Sequence, residues 1–263
     1  MIDPHTAAAA LQEARRARRT LAPLGAIAPT TEEEGYAAQA ALAKAEGSVP
    51  PAGFKVGATA RAMQDYLGVG APAAGFMARE NLHPSGFATR FGDWVAPGTE
   101  CEIALRLGAD LPFTGSPPSR EEAARAVAAV LPAIEIVEQR YADMRAVGTP
   151  TLIADQFFHG GAVLGPETRF SPEALAAGAL RELAGAMRID GRLFGEGKGA
   201  DLLGDPLEVL RFLAASGAAK AFGGLRAGQV VMCGSVTPPA WLEGPAEVEV
   251  VFATLGAVTV RFA

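Results

Sequence analysis

Thr99-Glu100-Cys101-Glu102-Ile103-Ala104-Leu105-Arg106-Leu107 reads as a β-strand that carries two carboxylates. Side chains alternate along a strand, so Glu100 and Glu102 share one face, while Cys101, Ile103, Leu105 and Leu107 form an apolar row on the other. A second segment, Ala133-Ile134-Glu135-Ile136-Val137, sets a third carboxylate between two isoleucines. An unpaired buried carboxylate neutralises itself or costs roughly several kcal/mol in lost hydration, and a bound cation removes that cost. Carboxylate oxygens suit hard ions such as Mg²⁺, Mn²⁺ or Ca²⁺. The wet face of a half-buried sheet fits the Glu-x-Glu spacing equally well, and nothing local brings the two segments together.

The chain has 263 residues, 49% of them hydrophobic and 20% charged, enough for one large domain or two small ones. A net charge of −6 argues against nucleic acid as a partner, which would need a basic face. Cys101 and Cys233 sit in apolar strand-like stretches, as core thiols of a cytoplasmic protein do. No apolar run is long enough to span a bilayer. The Ala-rich start is followed by Arg15, Arg16, Arg18 and Arg19, which reads as an Arg-bearing surface helix.

Helical spacing predicts helices over Thr6–Arg19 and after Thr31, where Glu34 completes the pattern of a capping box. Gly53–Gly57 reads as a short strand leading into a helix over 60–67. Ser119 caps a helix predicted to run through Val130, and a strand is expected over 133–138. Asp190-Gly191 marks a hairpin, 206–215 a helix, and 229–234, 246–253 and 257–262 strands. These elements predict an α+β fold, rolled or barrel-like: a helical N-terminal region over 1–75 packed on a catalytic domain over 76–263.

Other chemistry is sparser. Lys55 lies in an apolar strand between two glycines, either snorkelling to water or reaching an anion or a reacting carbon. His159 follows Asp155 by four residues; on a helix the two would share a face, and the carboxylate could orient the imidazole for proton transfer. A structural histidine beside Phe157 and Phe158 is the alternative. Gly195-Glu196-Gly197-Lys198-Gly199-Ala200 satisfies G-x-G-x-x-A, but residues 213–222 hold no acid to complete a dinucleotide site, so a flexible turn is expected. Ser235 and Thr237 stand at a strand end, where hydroxyls bind substrate oxygens or build turns.

In order along the chain, Gly53-Phe54-Lys55-Val56-Gly57, Met63-Gln64, Leu67-Gly68-Val69, Glu100-Cys101-Glu102-Ile103-Ala104, Leu131–Val137, Ile153-Ala154-Asp155-Gln156, Val163-Leu164-Gly165, Gly204-Asp205-Pro206-Leu207 and Ala227–Ser235 resemble the fumarylacetoacetate hydrolase superfamily. Its 2-keto-4-pentenoate hydratase and oxalocrotonate decarboxylase branch is the nearest match. The resemblance implies a mixed β-roll around a metal, with Glu100, Glu102 and Glu135 as ligands of Mg²⁺ or Mn²⁺. It implies Lys55 as the active-site lysine, and Gln156, Ser235 and Thr237 at the substrate. It also implies a homo-oligomer acting on a small 2-oxo or 2-hydroxy-dienoic acid.

The implied reaction is addition of water to a 2-hydroxy-2,4-dienoate, giving a 4-hydroxy-2-oxo acid. Decarboxylation or C–C hydrolysis of a 2-oxo acid would use the same enolate, and an inactive partner subunit is a further alternative. Two stretches depart from the branch. Gly75-Phe76-Met77-Ala78-Arg79-Glu80 carries an arginine where relatives are acidic, and Asp155-Gln156-Phe157-Phe158-His159 replaces small hydroxyl residues.

Overall fold

A computed structural model describes residues 2–67 and 69–263; Gly68, within the Leu67-Gly68-Val69 match, lies outside the described residues. Its strands are β1 (Gly53–Gly57), β2 (Ala73–Met77), β3 (Leu82–Pro84), β4 (Phe87–Thr89), β5 (Pro97–Leu107), β6 (Val127–Glu138), β7 (His159–Leu164), β8 (Ala184–Ile189), β9 (Arg192–Lys198), β10 (Val230–Ser235), β11 (Ala240–Trp241), β12 (Ala246–Phe252) and β13 (Gly256–Phe262). Three helices matter to the site: α1 (Pro4–Arg16), α2 (Glu32–Ala45) and α3 (Arg61–Leu67).

The long antiparallel pair β5–β6 is the spine of the molecule. Around it the larger sheet runs β2-β1-β10-β5-β6-β7-β3, with β11 added to β5. The β1–β10 and β3–β7 pairs are parallel and the others antiparallel, so the sheet is mixed. The second sheet runs β4-β13-β12-β8-β9. Period-two alternation divides the larger sheet into two faces. Phe54, Val56, Cys101, Ile103, Leu105, Ile134, Ile136 and Val231 enter the main core, as the apolar row on β5 predicts. The opposite face holds a small second cluster, Met77, Ala104, Leu131, Ala133, Ala162, Val230 and Met232. These residues are buried although that face also carries Glu102 and Glu135, because the sheet curls over them and β2 comes into contact with β7. Small alanines allow that curl. The α+β roll is as expected, with β1 and β2 of the N-terminal segment built into its sheet.

Several local expectations need correction. Helix α1 ends at Arg16, not Arg19, because Arg18 turns left-handed. Thr31 caps α2 through its hydroxyl, but the Glu34 carboxylate accepts from Thr30 N–H and Ile2 N–H instead of closing a capping box on Thr31. The helix after Ser119 stops at Ala126, and β-branched Val127 and Val130 join β6. Gly195–Lys198 belongs to strand β9 and is not a flexible turn. A Cβ at Gly197 would lie 1.9 Å from Val236 O, so the glycine is there to let the substrate-loop candidate pass close by. Among the described residues no helix is long and apolar enough to cross a membrane.

Candidate active site

Strand register assembles the site. Glu100 on β5 lies directly opposite Glu135 on β6, and Glu102 opposite Ala133, so all three carboxylates share the inner face of the roll. One oxygen from each lies within 4.8 Å of the others. Glu102 and Glu135 are fully buried, and Glu100 is partly exposed on a cavity wall.

Two β-bulges re-aim residues onto this face. A register shift between Met232 and Ser235 sets Ser235 opposite Glu102 and puts Gly234 at φ +94°, where its N–H donates to Glu102 Oε2 at 2.9 Å. A side chain at Gly234 would strike Thr59 Oγ1, 2.0 Å away, so only glycine fits. A second shift between Ile136 and Val137 sets His159 opposite Val137, on the Glu135 side.

Lys55 reaches the same face from β1. Its Nζ donates to Phe157 O at 2.7 Å and stands 3.4 Å from Glu135 Oε1, with the Phe157 ring centroid 5.2 Å away. Burial raises the Glu135 carboxyl, but Lys55 and His159 more than offset this and hold it below the usual range. Burial and the charge of Glu135 push Glu100 up to about 7, and burial together with both neighbours pushes Glu102 well above its ordinary value. Glu102 Oε1 and Glu135 Oε2 are buried without a hydrogen-bond partner. Three clustered carboxylates with two orphaned oxygens fit a hard divalent cation, which would satisfy those oxygens and keep all three groups ionised.

The expected Asp155–His159 pair does not form. The helix Thr149–Ala154 ends before Asp155, and His159 begins β7, so no helical face joins them. Asp155 is held by Arg15 Nε at 2.8 Å, by Arg140 and by Tyr141 Oη at 2.7 Å; burial raises its carboxyl, and the two arginines return it below its ordinary value. Glu135 takes the role expected of Asp155: its Oε1 lies 2.9 Å from His159 Nδ1. Burial lowers the imidazole, so His159 is neutral, Nδ1–H donates to the ionised carboxylate, and Nε2 is left without a partner.

Between Asp155 and His159 the chain takes three left-handed residues in succession, Gln156 (φ +58°), Phe157 (φ +50°) and Phe158 (φ +70°). Each costs about 1–2 kcal/mol for an L side chain. This turn aims the Phe157 carbonyl at Lys55. Gln156 does not reach the cavity wall expected of it; its Nε2 donates to Phe76 O at 2.9 Å.

The cavity above the carboxylates has a volume of about 440 Å³. Lys55, Glu100, Ser235 and Thr237 line it beside apolar Val137, Phe157, Phe158, Val236 and Trp241. Ser235 Oγ accepts from Cys101 N–H at 3.1 Å and lies 3.4 Å from Thr237 Oγ1. The divergent Arg79 and Glu80 sit on an exposed turn and are not part of this wall.

Sequence reasoning missed Arg15, Arg140 and Tyr141. For Arg15 a signal existed: it lies four residues beyond Leu11 and seven beyond Ala8, both buried, so helical periodicity puts it on the inner face of α1.

A β-roll that carries three carboxylates on its inner face is the framework of a metal-dependent enzyme acting on small organic acids. Residues 55–263 match the family model described as fumarylacetoacetate hydrolase, C-terminal. The chain is 31% identical to the 2-hydroxyhexa-2,4-dienoate hydratase of Comamonas testosteroni over 259 residues, covering 96% of this chain and 94% of that one. It is 33% identical to a 4-oxalocrotonate decarboxylase of a Pseudomonas species over 189 residues, 70% of this chain and 68% of the other. The solved 4-oxalocrotonate decarboxylase of Pseudomonas putida G7, complexed with magnesium and adipate, superposes with a TM-score of 0.85 at 23% identity, covering 99% of this chain and 97% of that one. The chain belongs to the fumarylacetoacetate hydrolase family, in its 2-keto-4-pentenoate hydratase and oxalocrotonate decarboxylase branch.

Proposed function

We propose that the protein is a divalent-metal-dependent hydratase, adding water to a 2-hydroxy-2,4-dienoate to give a 4-hydroxy-2-oxo acid. One observation carries this reading: Glu100, Glu102 and Glu135 converge beneath a cavity whose wall also holds Lys55, Ser235 and Thr237. The hydratase relative supports it. Mg²⁺ or Mn²⁺ is the ion assigned to the carboxylates, supported by their all-oxygen donor set and by the magnesium in the solved neighbour. When bound, such an ion supplies a Lewis acid that stabilises negative charge on the C2 oxygen of the substrate.

The chain's own residues do the rest. Lys55 is the cationic side chain at the inner end of the wall, placed to hold the substrate carboxylate or to move a proton as the enolate becomes a ketone. Ser235 and Thr237 offer hydroxyls to substrate oxygens. His159 is not on the wall and acts through Glu135, which makes it a positioning residue. Asp155 supports the turn behind it.

The outer wall favours hydration over decarboxylation of a dicarboxylic substrate. Val137, Phe157, Phe158, Val236 and Trp241 suit an apolar tail. Arg61, also on the wall, is largely exposed and lies 3.2 Å from Asp65, so a second carboxylate beside it would stay in water and gain little from the pairing. A cytoplasmic homo-oligomer remains part of the proposal; light scattering on the purified protein reads the subunit count.

The test is a panel assay with Mg²⁺ or Mn²⁺: 2-hydroxypenta-2,4-dienoate, its 5-methyl homologue 2-hydroxyhexa-2,4-dienoate, and a dicarboxylic analogue. Loss of diene absorbance with formation of the 4-hydroxy-2-oxo acid, abolished by EDTA, is expected. Release of CO₂ from the dicarboxylate without hydration of the monoacids would transfer the assignment to decarboxylase. No turnover of any substrate would leave the partner-subunit reading.

A further inference from the structure

Arg15 precedes the segment matched by the family model and is absent from the cavity wall, yet it grips the turn that shapes the site. Its Nε donates to Asp155 Oδ1 at 2.8 Å, its Nη2 to Asp155 O at 2.7 Å, and its Nη1 to His159 O at 3.3 Å. One guanidinium thus brackets both ends of the left-handed run Gln156–Phe158. We infer that Arg15 is a positioning residue: from the N-terminal helix it locks this turn, and through it sets the Phe157 carbonyl on Lys55 and the His159 ring on Glu135.

The argument is mechanical. Three consecutive non-glycine residues at positive φ relax toward ordinary conformations unless both flanks are fixed. At the leading flank, Arg140 and Tyr141 reach the Asp155 carboxylate and the Tyr141 ring packs edge-on against Phe158, whereas the Arg15 guanidinium spans from Asp155 to His159 O and so ties the two flanks to each other. A planar fork of five donors can serve a carboxylate and two carbonyls together, as a lysine ammonium cannot. Within the turn, Gln156 Nε2 ties the chain to Phe76 O on β2, and Phe157 O accepts from Lys55 Nζ at the catalytic face. Releasing the flanks therefore moves Lys55 and His159 together. Arg15 is mostly buried and its helix packs against α2, so the clamp has a firm base.

The inference depends on the hydratase reading for its kinetic arm alone. Arg15→Ala and Arg15→Lys are compared with wild type in the full-length protein. For Arg15→Ala, kcat is expected to fall by about 100-fold, as for displaced catalytic groups. KM for the dienoate should change by less than about threefold, since uniform binding is spared. Added guanidinium ion should restore part of kcat in Arg15→Ala, and Arg15→Lys should remain impaired. A crystal structure of metal-free Arg15→Ala is expected to show Phe157 at negative φ, with the Lys55–Phe157 contact broken. Unchanged kcat, or a turn that keeps its positive φ values and both contacts, overturns the inference. If Arg15→Ala is insoluble, Arg15→Met keeps the packed stem and takes the same measurements. If wild type hydrates no dienoate, the functional reading fails and the crystallographic arm alone decides the role of Arg15.

Discussion

His159 Nδ1 stands 2.9 Å from Glu135 Oε1, the same oxygen that Lys55 Nζ approaches to 3.4 Å. One oxygen of the carboxylate is fixed by two basic neighbours, while the other is buried without a partner. Such a second partner orients a metal ligand and raises its hold on the ion. His159→Ala is accordingly expected to weaken Mg²⁺ binding and kcat by about 10- to 100-fold, with a smaller change in KM. Calorimetric titration of Mg²⁺ and steady-state kinetics measure the two effects. Kinetics equal to wild type would reduce His159 to packing.

Glu102→Gln and Glu135→Gln keep the shape of the side chain and remove one charge from the trio. Each is expected to lower Mg²⁺ affinity by at least about 100-fold and to abolish turnover. Stability separates these losses from misfolding. Glu102 is buried beside like charges, so its neutralisation relieves the metal-free protein and should leave its Tm no lower than wild type. The rise in Tm that Mg²⁺ gives wild type should vanish in the variant, because ligand stabilisation scales with affinity. A normal Mg²⁺ response in Glu102→Gln would remove it from the ligand set.

Acid–base linkage gives a signed prediction for Glu100. Its carboxyl rises from 4.5 to about 7 in the folded metal-free protein. Between those values the native state binds more protons than the unfolded one, so this group's stabilising contribution is full below 4.5 and is lost as pH rises through about 7. His159 and His83, both lowered by burial, run the other way over part of that range. Comparing Glu100→Gln with wild type in EDTA subtracts those common terms. The variant should gain relative stability from pH 5 to pH 8, up to a difference on the order of 3 kcal/mol. Urea unfolding at several pH values measures it, and a difference independent of pH would refute the assignment. Mg²⁺ binding by wild type should correspondingly weaken below pH 7 and release protons.

The sequence displays the carboxylates because alternation is local: Glu100, Glu102 and Glu135 interrupt apolar strands whatever surrounds them. Their meeting is not local. It depends on the β5–β6 register that sets Glu100 against Glu135. Pro132 obscured the length of β6, since proline in a central strand removes a donor. Its carbonyl accepts from Gly165 N–H, so the missing donor faces the end of β7 and leaves the β5 ladder intact. The Asp155–His159 spacing misled for a similar reason. Four residues share a face only on a helix, and the left-handed turn between them has no signature in Gln-Phe-Phe, residues that avoid positive φ. The bulges that bring Ser235 and His159 onto the active face are marked only by strand glycines, Gly234 and Gly160, which signal an irregularity but not the residues it re-aims.

Lys55 answers two demands at once, and they separate in a Lys55→Met variant. Nζ lines the cavity, donates to Phe157 O and approaches Glu135, so it serves substrate, turn and carboxylate trio together. Methionine keeps the length of the stem, loses the charge and leaves the Phe157 carbonyl without its donor. Glu135 then sits among Glu100 and Glu102 with less opposing charge, which destabilises the metal-free protein; breaking one side of a buried ion pair costs about 3–5 kcal/mol. A divalent ion supplies the missing positive charge, so Mg²⁺ should raise the Tm of Lys55→Met more than that of wild type. Turnover has no such substitute, because an ion at the carboxylates cannot replace an ammonium on the wall, and kcat should fall by about 100-fold or more. Thermal denaturation with and without Mg²⁺, together with the dienoate assay, reads both. A variant that regains stability with Mg²⁺ but not activity fits a lysine that acts on the substrate; one that regains both would leave Lys55 only a counter-ion to Glu135.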